Sequence, residues 1–113
     1  MEEEFKKSLD NATAQMRKGV LELAIMLVIA KEKTYANEII SRLKDAQLTV
    51  VEGTVYPLLS RLRTAELLDY DWEESRSGPP RKYYTLTEKG KRFLKDYEDQ
   101  WQNLKKAITN LKK

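Results

Sequence analysis

The stretch Glu52–Leu68, "EGTVYPLLSRLRTAELL", decides how the rest of the chain is read. Val55, Leu58, Leu59 and Leu62 stand at i, i+3, i+4 and i+7, the spacing of one buried helical face. The opposite face carries Thr54, Tyr56, Pro57, Ser60, Arg61, Arg63 and Thr64. Gly53 and Pro57, both at the N-terminal end, are poor helix formers that cost ~1 and ~3 kcal/mol inside a helix. If Thr54 is near the N-cap, Pro57 falls in the first turn, where its missing N–H would have been unpaired anyway. If the helix begins at Glu52, Pro57 must bend it. On either reading, this end of the helix is shaped for something other than helix stability.

Upstream, Phe5, Leu9, Ala12, Met16, Val20, Leu23 and Leu27 follow mostly at helical steps and thicken into "LAIMLVIA", Leu23–Ala30. That run is far short of the ~20 residues of a membrane span, so it predicts a core helix buried on most sides. Asp10-Asn11 leaves open whether one helix or two precede it. Lys31-Glu32-Lys33 is a polar link, Thr34 is the expected N-cap of a second helix, and Tyr35, Ala36, Ile39, Ile40 and Leu43 mark its buried face. Leu48–Val51 reads as an extended connector. Downstream, Leu68, Tyr70 and Trp72 alternate with Asp69 and Asp71, "EESRSGPP" (Glu73–Pro80) is turn-forming, and Tyr83–Leu86 are good strand formers. This pattern predicts a β-hairpin with a longer loop. Thr87 then caps a last helix with Leu94, Tyr97, Trp101, Leu104, Ile108 and Leu111 on a heptad seam. Such a stripe wants a partner helix, expected from a second copy, with Phe5 and Leu9 helping to cover it.

At 113 residues the chain has one domain's length. The absence of Cys and His removes disulfides, thiolate chemistry, the usual metal ligand and the usual general base. No enzyme, cofactor or metal site is expected. The net charge of +3 favours nucleic acid only where basic residues cluster. "MEEE" opens the chain where a secretory signal would need a basic region, so a cytoplasmic location is expected.

The expected fold is mainly α with a small β-hairpin. Residues 1–15 would be a helical arm contributing to a dimer, 16–87 a winged helix-turn-helix, and 88–113 a dimerisation helix. In such a fold the third helix enters the major groove of double-stranded DNA with its N-terminal residues towards the bases. The wing brings Arg76, Arg81 and Lys82 around Ser77-Gly78-Pro79-Pro80, although Glu73 and Glu74 dilute that charge. Tyr56 could instead be half-buried packing. Arg61 and Arg63 point about 200° apart on a helix, so both cannot address one phosphate equally. A winged-helix protein-interaction module without DNA binding is the alternative reading.

"EGTVYPLLSRLRTAELL", followed by "WEESRSGPPRKYYTLTEKGKRFL" (Trp72–Leu94) and preceded by "GVLELAIMLVIAKEKTYANEIISRL" (Gly19–Leu43), resembles the PadR family of bacterial transcriptional regulators. The resemblance covers roughly residues 16–94, and the single C-terminal helix is similar to the family's smaller members. It implies a dimeric repressor on an inverted-repeat operator, released by a small aromatic or phenolic effector. It places Tyr56, Arg61 and Arg63 at the DNA and Gly78–Lys82 by the adjacent groove. It also gives Trp101, with Tyr97 beside it, a second role. Besides packing the dimer, Trp101 would meet its own copy across the symmetry axis and stack a flat ligand. Two departures stand out: Ala36 and Glu66 occupy positions where the family commonly has Gly.

Overall fold

The computed structural model describes Met1–Lys113 in full. The chain runs α1 (Glu2–Lys31), α2 (Ala36–Asp45), α3 (Glu52–Thr64), β1 (Leu68–Ser75), β2 (Gly78–Leu86) and α4 (Glu88–Leu111). This is the winged helix-turn-helix order, mainly helical with one antiparallel hairpin.

Helix α1 passes through Asp10-Asn11 without a break, since both side chains face solvent and neither Gly nor Pro interrupts that turn. The edge of the arm at residue 15 therefore lies inside one continuous helix. Its second half buries Leu21, Leu23, Ile25, Met26 and Ile29, while Leu27 and Ala30 within the apolar run stay exposed. Against it pack Ala36, Ile39 and Leu43 of α2 and Val55, Leu59 and Leu62 of α3. Leu67, Leu68, Tyr84 and Leu94 close the core.

Thr34 is not the N-cap of α2. Its backbone pairs with Tyr84 as an isolated bridge at the edge of β2, donating to the Tyr84 carbonyl at 3.2 Å and accepting from its N–H at 2.8 Å. That pairing holds residue 34 extended, so the helix starts after Tyr35 and no side chain caps it. The hairpin differs from expectation as well. Ser75 pairs with Gly78 across a two-residue turn, Arg76-Ser77, and the strands take in most of the segment read as loop. A register shift sets Pro79 and Pro80 opposite Glu74. A bulge on a two-stranded sheet tolerates residues with no N–H to give to a ladder.

Helix α4 begins as expected: the Thr87 hydroxyl accepts from the Gly90 N–H at 2.9 Å. Only Gly90 and Leu94 of this helix are buried. Trp101, Leu104, Ile108 and Leu111 are exposed, as are Phe5 and Leu9, which do not cover the α4 stripe within one chain.

Candidate nucleic-acid interface

Helix α3 starts at Glu52, so Pro57 lies inside it and not in its first turn. The backbone N–H of residue 57 is missing, and the Gly53 carbonyl loses the partner it would have four residues on. Both residues are exposed, so water can satisfy that carbonyl. The inner face is filled by Val55, Leu59 and Leu62 with Leu58 partly buried, which turns Thr54, Tyr56, Pro57 and Ser60 to solvent. Tyr56 is 48% exposed, so it is not core packing.

The two arginines of α3 diverge, as their angular separation requires. Arg61 turns back to α1 and forms an ion pair with Glu22, whose side chain is only 16% exposed. The pair joins α3 to α1, while the Arg61 side chain itself stays 69% exposed. Arg63 lies over the Tyr70 ring at 4.5 Å and so joins α3 to β1.

In the hairpin, Arg81 pairs with Glu73 and Lys82 with Trp72 across the ladder, so the two cations project from opposite faces of β2. The Arg81 guanidinium stacks over the Tyr35 ring at 4.4 Å. The Lys82 ammonium lies 4.5 Å from the Tyr70 ring and 5.4 Å from that of Trp72. Glu73 is drawn to Lys33 at 2.5 Å, and that contact raises the Lys33 pKa, chiefly through the hydrogen bond. The ion pairs of the chain are Lys33–Glu73, Arg61–Glu22 and Lys91–Glu88. Arg63, Arg81 and Lys82 belong to none of them. Their charge is held by aromatic faces, which attract a cation without neutralising it.

A cleft of about 350 Å³ brings several of these groups together, with Tyr35 and Asn37 from the start of α2, Tyr56 from α3, and Trp72, Arg81 and Lys82 from the hairpin. Of the expected residues, Tyr56, Arg81 and Lys82 share this cleft. Thr54 does not; it borders a separate groove beside α1 with Arg17 and Lys18. Gly78 is exposed at the start of β2, next to the turn. Trp72 and Tyr35 line the cleft too, beyond the residues to which the sequence points. The lone signal for Trp72 in the sequence was a large aromatic in an otherwise acidic strand.

At the other end, Trp101 is 38% exposed and borders a cavity of about 730 Å³ with Leu23, Ala24, Leu27 and Leu48, rimmed by Glu98 and Asp99. Tyr97 packs edge-on to Phe93 at 5.3 Å and lies against the core, outside that cavity.

No helix is long and apolar enough to cross a membrane. Residues 25–96 match the family described as "Transcriptional regulator PadR-like family". A solved PadR-like transcription factor from Bacteroides fragilis is 53% identical, with 89% of this chain and 98% of that one covered and a TM-score of 0.75. A PadR family transcriptional regulator from Eggerthella lenta is 31% identical, with 95% and 94% covered and a TM-score of 0.83. An uncharacterized protein of Lysinibacillus sphaericus is 29% identical over 94 residues, which are 80% of this chain and 86% of that one.

Proposed function

The chain belongs to the PadR-like family of transcriptional regulators, and on that premise we propose that it is a dimeric DNA-binding repressor that occupies an inverted-repeat operator and leaves it when a small aromatic or phenolic effector binds. As a transcriptional regulator it is not an enzyme. The observation that carries the DNA-binding reading is the cleft itself, where two cations without acidic partners stand beside the exposed Tyr56 of α3. Cations of this kind supply affinity through phosphates, and the solvent face of α3 supplies sequence preference. Thr54, Tyr56, Pro57 and Ser60 would face the bases, while Gly78, Arg81 and Lys82 would lie against the backbone. Arg63 would lend its charge from the Tyr70 ring.

A dimer is supported by the exposed seam of Trp101, Leu104, Ile108 and Leu111 and by the uncovered Phe5 and Leu9. Together they give two helices apolar faces that one copy leaves in water. The effector reading rests on the Trp101 cavity, whose apolar walls would receive a flat ring.

Salt-titrated binding to random duplex and to a sequence selected by the protein tests the DNA reading. Arg81→Ala should weaken binding to every duplex and lower the slope of log K against log salt by about 0.9. Tyr56→Ala should mainly erode preference for the selected sequence. A wild-type chain with no affinity for any duplex at low salt would sink the proposal. A selected-sequence affinity unchanged by Tyr56→Ala would remove that residue from the interface.

A further inference from the structure

The hairpin carries a tryptophan that neither the core nor the wing tip uses. Trp72 is 61% exposed, although each neighbour on its face of the sheet nearer the core is buried or partly buried: Leu68, Tyr70, Tyr84 and Leu86. Its ring stands edge-on to Tyr70 at 6.3 Å and borders the cleft, with Lys82 beside it across the ladder. Packing gives no reason for so large an apolar surface in water, and polar side chains are the usual occupants of an outer hairpin position.

The surroundings identify what would cover it. Lys82 and Arg81 reach the cleft with aromatic rings, not carboxylates, beside their charged groups. The acid directly across from Arg81, Glu73, is engaged by Lys33. The cleft is thus lined by two cations without acidic partners, Lys82 on the Trp72 face of β2 and Arg81 on the other, and by Tyr35, Tyr56 and Trp72. A DNA strand has the matching alternation, with an anionic phosphate followed by an apolar sugar ring. The cleft also lies between α3 and the hairpin, the two parts that would address neighbouring grooves.

Resting on the DNA-binding reading, we propose that Trp72 is a DNA-contacting residue: the cleft grips one sugar–phosphate segment, with phosphate at Lys82 and deoxyribose against the indole. Such a contact positions the protein and carries no sequence information of its own.

Fluorescence anisotropy with a labelled random-sequence duplex at low salt tests this directly, since Trp72→Ala at an exposed site can be checked for an unchanged melting curve. Trp72→Ala should weaken binding about fivefold or more, since the apolar contact of the indole is lost. Because the indole is uncharged, the salt slope should stay at the wild-type value, whereas Lys82→Ala should lower it by about 0.9. Trp72→Phe should recover most of the lost affinity. Wild-type affinity in Trp72→Ala overturns the inference. So does a loss confined to the selected sequence, which would make Trp72 a base contact. A salt slope lowered as in Lys82→Ala also overturns it, since Trp72 would then only support the lysine. If the wild-type protein binds no duplex, the DNA-binding reading itself fails and takes this contact with it. Binding by wild type with an indifferent Trp72→Ala removes the contact alone.

Discussion

Glu66 has a φ of 64°, the left-handed conformation that favours glycine, and it ends α3 with a double hydrogen bond. The Leu67 N–H reaches the Leu62 carbonyl at 3.0 Å and the Glu66 N–H that of Arg63 at 2.9 Å. Gln47 repeats the arrangement after α2, with a φ of 69°. Glutamate therefore keeps the turn for which glycine is commonly used, and the helix stop survives the departure. The corner it makes is then tied to α4, as the Thr87 hydroxyl donates to the Glu66 carbonyl at 2.7 Å and Lys89 to that of Ala65 at 3.0 Å. Gly90 is required here, because a Cβ would stand 2.0 Å from the Leu67 carbonyl oxygen. Tyr84 gives the residue scale its prediction. Burial, reinforced by the neighbouring Tyr56 and Tyr70, raises its pKa above the ordinary 10.0. The folded chain then keeps a proton that the unfolded chain releases near that pH, so this stability is intact below 10.0 and falls as pH rises through the raised value. Urea titrations at rising alkaline pH should show a steeper loss of stability in wild type than in Tyr84→Phe.

At the scale of the element, α3 trades helix stability for its exposed end. Pro57 in the sixth helical position leaves the Gly53 carbonyl without its intrahelical donor. Pro57→Ala would restore that bond and should raise stability by about 1–3 kcal/mol in denaturant titrations. If the proline stiffens the DNA-facing end, the same substitution should lessen preference for a selected sequence over random duplex. The hairpin shows a comparable arrangement. Its bulge accommodates Pro79-Pro80 just before Arg81, and Lys33 draws off Glu73, leaving the cations of β2 unneutralised.

For the whole molecule, the apolar residues outside the core mark the surface that a second copy would cover. Phe5 is 68% exposed and Ile108 52%, on the protruding halves of α1 and α4. If these faces pair, Ile108→Glu places a charge in an apolar seam, where an unpaired charge is strongly disfavoured. Sedimentation equilibrium should then show a dimer for wild type and a monomer for the variant at the same concentration. Duplex affinity should fall with it, because two half-sites would no longer be held together. A monomeric wild type would refute the dimer, with the single-chain cleft still open to test.

The order of elements, the inner face of α3, the Thr87 cap and the unsheltered seam of α4 from Trp101 onward were legible in the sequence, because each depends on periodicity or on a local hydrogen bond. Leu94 and Tyr97 of that seam, by contrast, are taken up by this chain's own core. Local chemistry could not say that Thr34 would be spent on a bridge to Tyr84, or that Arg61 would turn to Glu22 while Arg63 lay on Tyr70. Nor could it foresee Trp72 and Tyr35 in one cleft with Tyr56, Arg81 and Lys82. Those outcomes join residues up to 50 positions apart, as Thr34 and Tyr84 are. Side chains so distant in the chain meet only through packing of whole elements, so the tertiary structure alone decides which cations are paired and which remain free for an anion.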